Sequence, residues 1–295
     1  GSFGNTLGRI FRLDENDKHV LIMAGMGACY AVVFGAPAAS SIFAMEVVSV
    51  GVMHYAAIVP CFLSAIIARG ISKYMGIATT TFSIGDVPSI NFASGSKLVL
   101  LGIIFAAVSM LYIVAFETFS KFFKAVLKNQ YLIMAVGGGI VALLTLVLQS
   151  NEYLGTGISQ IPDLLFVSAP WYVFLLKILF TAVSLGAGFK GGEIAPAMFV
   201  GASLGSFLAP MFGLPIPLVV ACGMAAVFCG VTNSPITAIV FSVELFGASQ
   251  IYYTMICVAV SYLISEYFSI YKTQKIMYSK YSTTFINRKS HHIDT

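Results

Sequence analysis

Long apolar runs broken by short polar or Gly/Pro-containing stretches dominate the chain, at about 20–34, 36–47, 53–68, 98–118, 131–149, 170–187, 194–212, 216–230, 235–247 and 250–270. Runs of this kind predict helices, and several fall short of the ~20 apolar residues that a bilayer crossing needs. The longest helical stretch, 97–128, has no Pro or Gly after Gly102 and predicts a steeply tilted crossing. Residues 75–97, rich in Thr, Ser, Gly and Asp, form the main polar connection.

The pattern repeats. Gly25–Val47, GMGACYAVVFGAPAASSIFAMEV, aligns with Gly223–Leu245, GMAAVFCGVTNSPITAIVFSVEL, at a constant offset of 198, with 7 of 23 positions identical. Two apolar helices share Ala, Val or Phe by chance, but seldom a proline and an acid together; here Pro37 aligns with Pro235 and Glu46 with Glu244. Upstream, GNTLGRIFRL at 4–13 aligns with GSFLAPMFGL at 205–214. Paired repeats with short, interrupted helices are the pattern of transporters whose site lies between two halves. The division expected is one membrane domain in two parts: 1–128, a partial first repeat with the following helices, and 129–295, the second repeat with the C-terminal helix.

Composition narrows the class. Apolar residues make up 58% of the 295 and Asp, Glu, Lys and Arg only 9%, against ~25% charged in soluble domains. The chain reads as an all-α integral membrane protein, a multi-pass protein of the plasma membrane with on the order of ten segments of uneven length. The net charge of +4 does not point to nucleic acid, because the basic residues flank the apolar runs. Arg9, Arg12 and Lys18, then Lys121, Lys124 and Lys128, and finally Lys272, Lys275, Lys280, Arg288 and Lys289 are placed in the cytoplasm with the C-terminus. Residues 151–163 fall outside. The five cysteines read as small buried hydrophobes, and neither they nor the four histidines, including adjacent His291 and His292, have metal-ligand spacing. No metal or cofactor is expected.

Chemistry concentrates at Gly188–Pro196, GFKGGEIAP, ahead of the run 197–212. The first turn of a helix leaves N–H groups unpaired, and the peptide dipoles place partial positive charge there, so such an end holds an anion. Gly191 and Gly192 permit close backbone approach, and Pro196 is tolerated in a first turn. The N–H groups of Glu193 and Ile194 are candidate donors; the competing reading is a plain helix-packing turn. The Glu193 side chain is expected to cap the helix or meet Lys190, which either attracts anions or snorkels to water. Glu46 and Glu244 are either proton carriers or caps on a neighbouring broken helix, and their equivalence in both repeats favours caps. Tyr278, in Ile-Met-Tyr-Ser, reads on its own as an interfacial belt residue.

Taken together, these residues resemble the CLC family of chloride channels and proton-coupled anion transporters, over nearly the whole chain. GGEIAP followed by MFVGASLG is similar to the family's Gly-x-Phe-x-Pro element, with Ile194 in the usual aromatic place; GMGACYAVVFGAPAASSIFAMEV resembles its sixth-to-eighth helix region, and IMYS its final-helix motif. Phe-Lys-Gly-Gly-Glu and Asn-Ser-Pro at 233–235 resemble the fluoride-exporting branch. The resemblance implies a homodimer of independently conducting subunits, each an inverted-repeat bundle of tilted and broken helices, and it gives Tyr278 the role of the tyrosine whose hydroxyl meets the anion. The expected substrate is chloride or fluoride, exchanged for protons; the expected protein is a transporter and not an enzyme. The family's Gly-Ser-Gly-Ile-Pro element and its Gly-Arg-Glu-Gly element with the gating glutamate would lie before Gly1, so the chain is expected to be N-terminally incomplete. Val47 stands where chloride antiporters carry an intracellular proton glutamate. That motivates a passive halide channel as the alternative, and the absent half-site motivates a non-transporting membrane assembly subunit.

Overall fold

In a computed structural model, residues 1–77, 81–85 and 87–290 are described; His291 and His292 lie outside them. Twelve α-helices follow in chain order: α1 Ser2–Ile10, α2 Glu15–Phe34, α3 Pro37–Glu46, α4 Ile58–Tyr74, α5 Phe92–Val126, α6 Gln130–Leu148, α7 Ile161–Leu164, α8 Val173–Gly186, α9 Ile194–Phe212, α10 Ile216–Thr232, α11 Pro235–Phe246 and α12 Ile251–Ile264. Among the described residues five stretches, including α2, α5, α6 and α9, are long and apolar enough to cross a membrane; α8, α10, α11 and α12 are apolar but shorter. The all-α, multi-pass reading therefore holds. At 35 residues, α5 is ~52 Å long at 1.5 Å per residue, well beyond a ~30 Å hydrocarbon core.

Local chemistry sets the helix ends. Asp14 accepts from the Asp17 N–H at 2.8 Å and caps α2. Asn91 and Ser94 form a reciprocal capping box on α5. The repeat is visible in the breaks: α2 stops at Gly35 (φ 72°) and α10 at Asn233 (φ 57°), positions 198 apart, and each is followed two residues on by the proline that opens α3 or α11. A left-handed residue is what turns the chain there, and Gly or Asn tolerates it.

Chain order and compact units do not coincide. One unit comprises Gly1–Ser83, Asn233–Ile251 and Tyr271–Ser290; the other comprises Ile84–Thr232 and Tyr252–Ile270. In the first, α2 packs on α1, α3 and α4 around Met23, Ala24, Ala44, Met45, Ala57 and Cys61, and α3 lies against α11. In the second, α9 packs on α10 and α8, and α5 on α8 and α10. A Cβ on Gly201 or Gly223 would run into the other's carbonyl, so α9 and α10 meet backbone to backbone, the close approach that small residues permit.

Two expectations are corrected. The IMYS segment is not helical: strand β2, Lys275–Tyr278, runs parallel to β1, Ser49–Val50, and antiparallel to β3, Phe285–Lys289, with Ser49 opposite Lys275 and Tyr278 opposite Phe285. Its backbone groups find their partners on these neighbours, which removes the need for helical hydrogen bonds. Of the cysteines, Cys61, Cys222, Cys229 and Cys257 are buried, but Cys29 is exposed on α2, because that position falls off the packed face.

Candidate functional site

Three of the helices that carry a proline in their first turn, α3, α11 and α9, have N-termini that are treated differently. On α11, Glu46 of α3 accepts from the Ile236 N–H at 3.0 Å, the Thr237 N–H at 2.8 Å and the Thr237 hydroxyl at 2.6 Å. On α3, Glu244 of α11 accepts from the Ala38 N–H at 3.0 Å and the Ala39 N–H at 2.7 Å. Every partner is related by the same offset of 198, so the two acids cap each other's helices reciprocally. A carboxylate is well placed there, since both the unpaired N–H groups and the helix dipole favour negative charge.

The third N-terminus, that of α9, is open. Glu193 occupies the N-cap without a side-chain cap hydrogen bond, and no Lys190–Glu193 ion pair is present among the described residues. Both partners expected for the Glu193 carboxylate are therefore missing. The backbone is nonetheless fixed, because the buried Tyr112 hydroxyl of α5 donates to the Glu193 carbonyl at 2.8 Å. Ile194 is buried, while Lys190, Gly191 and Gly192 are exposed. A Cβ at Gly192 would meet nothing within 4 Å, so Gly192 is not required by packing. In this loop the left-handed backbone falls to Gly188, with φ 91°.

Beside this loop lies a cavity of about 200 Å³, lined by Tyr153–Thr156, Phe189–Gly192, Thr181, Ser184 and Pro196 among others. It combines the Lys190 ammonium, hydroxyls and glycine backbone with the apolar side chains of Leu154, Phe180, Leu185 and Phe189. The Tyr153 phenol is pushed above its ordinary pKa, first by burial and then by Tyr172 and Glu152 nearby, so it stays protonated. Such a lining suits a small anion with part of its hydration.

Sequence reasoning passed over Lys177. It sits within α8, fully buried, and its ammonium donates to the Gly155 carbonyl at 2.9 Å and the Tyr153 carbonyl at 3.2 Å. The signal was available: a single lysine inside the apolar run 170–187 is an intramembrane charge.

Tyr278 closes β2 in the other unit, 41% exposed, with its ring edge-on to Phe285 at 5.5 Å. Glu46 and Glu244 belong to that same unit, while Lys190, Gly191, Gly192, Glu193 and Ile194 share the loop and first turn of α9.

Comparison with known proteins is consistent with this architecture. The chain is similar to a chloride/fluoride channel protein of Pseudomonas syringae pv. tomato, 36% identical over 288 residues, covering 95% of this chain and 64% of the relative. It is also similar to the H(+)/Cl(-) exchange transporter ClcA of Yersinia pestis bv. Antiqua, 26% identical over 273 residues, covering 87% of this chain and 57% of that protein. The chain thus spans less than two thirds of these relatives. Among solved structures it matches a CLC-type fluoride/proton antiporter with a TM-score of 0.87 at 33% identity, covering 92% of this chain and 70% of the other. A slow cyanobacterial Cl-/H+ antiporter matches in fold, with a TM-score of 0.69 at 20% identity over 90% of this chain and 65% of the other. The family described as voltage gated chloride channel matches residues 1–266, and the chain belongs to that family.

Proposed function

We propose that this protein moves halide ions across the membrane, with fluoride as the favoured substrate and protons moving in exchange. The observation that carries the reading is the N-terminus of α9, left without a side-chain cap and fronted by a cavity that Lys190, Gly191 and Gly192 line. In this proposal the N–H groups of Glu193 and Ile194 hold the dehydrated ion and Lys190 raises its local concentration; the family resemblance assigns Tyr278 a hydroxyl that meets an anion. Helix N-termini exclude cations without any bound metal, so the chemistry needs no cofactor. The names of the relatives at 36% and 33% identity support fluoride over chloride alone. The working unit is a homodimer in the plasma membrane with a cytoplasmic C-terminus.

The test is reconstitution of the full-length protein into liposomes, with efflux read by fluoride- and chloride-selective electrodes. Selective halide efflux well above that of protein-free liposomes is expected; efflux no faster than theirs sinks the proposal. Tyr278→Phe is expected to weaken apparent halide affinity or change proton stoichiometry, and a variant indistinguishable from wild type in both removes Tyr278 from the site.

Val47 supports a second reading, a passive halide channel. An imposed halide gradient that fails to drive protons uphill would favour it.

A further inference from the structure

Lys177 is the one cation within α8, and its surroundings are unusual for a charge. Its side chain is fully buried, and no carboxylate lies within ion-pair distance among the described residues. Two of its three donors meet main-chain carbonyls, of Tyr153 and Gly155, and the ammonium stands 5.2 Å from the centre of the Phe199 ring. Carbonyls and a ring face stabilise an ammonium ion, but they leave its net charge uncancelled.

The groups that Lys177 holds border the cavity. Phe180, Thr181 and Ser184, which line it, follow Lys177 at i+3, i+4 and i+7, so all four lie on one face of α8. Tyr153 and Gly155, whose carbonyls Lys177 holds, also line the cavity. On α9, Phe199 lies three residues beyond the lining Pro196. Gly157 leaves the space the ammonium needs: a Cβ there would come within 3.2 Å of the Lys177 nitrogen and 2.8 Å of the Phe199 ring.

We propose that Lys177 is a positioning residue for halide transport, holding the Tyr153–Gly155 wall and supplying a fixed positive charge behind it that draws a small monovalent anion into the cavity before the first turn of α9 binds it. This inference rests on the halide reading above. A fixed charge in a poorly solvated wall acts over several ångströms and is weakly screened by salt.

The experiment compares Lys177→Gln, which keeps donors for the carbonyls but lacks the charge, with Lys177→Arg, which keeps both. Initial fluoride efflux is measured against fluoride concentration in liposomes containing the full-length protein. Lys177→Gln is expected to raise KM on the order of tenfold, with the maximal rate within about twofold, and Lys177→Arg to restore KM. A wild-type KM in Lys177→Gln overturns the charge role, as does an equal loss of maximal rate in both variants, which marks a wall support only. If wild type itself moves no halide, the halide reading falls and this inference falls with it. Should Lys177→Gln not fold, Lys177→His lets the charge be switched in one protein: with equal pH on both sides, its KM is expected to rise from pH 5.5 to pH 8 more than that of wild type, and an identical pH trend overturns the proposal.

Discussion

The N-termini of α3 and α11 and that of α9 start from the same ingredients, a proline and a first turn of unpaired N–H groups, and end differently. At α3 and α11 a glutamate supplied by the other helix fills the position. At α9 the N-cap acid, Glu193, leaves the turn uncapped, and a cavity borders Pro196 of that turn. Both kinds of end call for negative charge; one receives it from within the chain, and in the function proposed above the other receives it from the transported ion. The proposed halide transport gives a reason to keep the two apart, since a permanently capped turn cannot bind and release an ion, and an uncapped turn contributes less to stability.

α9 must then be held by something other than its cap, and its backbone contact with α10 is the candidate. Gly201→Leu should break it: overlap with the Gly223 carbonyl is expected to cost about 3 kcal/mol or more, read as loss of monodisperse protein in size-exclusion chromatography. Recovery of wild-type yield would show that the helices can separate freely.

Next in size is loss of an internal cap. Glu46→Leu leaves two N–H groups and the Thr237 hydroxyl without their acceptor and is expected to cost about 3 kcal/mol. Glu244→Leu should lose slightly less, having two donors instead of three to strand. Thermal melting in detergent measures both, and melting temperatures equal to wild type would remove the reciprocal caps from the account of stability.

Thr237→Val sharpens the same point on one bond, with about 1 kcal/mol expected from the lost hydroxyl. The smallest stability effect belongs to the open end. Lys190→Gln should leave melting within ~0.5 kcal/mol, while the fluoride KM rises about twofold through weakened local attraction. A large drop in stability with unchanged KM would invert the comparison and make Lys190 structural.

Much of this contrast could be read before folding. The run 194–212 and the helix Ile194–Phe212 share both bounds; the predicted break after residue 34 appears at left-handed Gly35, and that between the runs 216–230 and 235–247 at left-handed Asn233, α10 running two residues further than expected. These signals are local: apolar length, Gly and Pro. Glu193 was not readable, because whether a carboxylate reaches its own helix or Lys190 depends on side-chain direction. Tyr278 was misjudged as helical because pairing with residues 49–50 and 285–289 is a long-range event. Lys177 was visible as a residue but not as a site, since its carbonyl partners lie in a loop 22 and 24 positions away.

By itself the sequence determined that this is a multi-helical membrane chain, that its helices break at Gly or Asn followed by proline, and that two acids occupy equivalent places in a repeat. These follow from hydrophobic length and backbone sterics, which act over a few residues. Only the tertiary structure decided which N-termini are filled and which is open. A hydrogen-bond partner for a helix end can come from anywhere in the chain, and folding brought Glu46 and Glu244 to each other's helices while leaving the first turn of α9 facing a cavity.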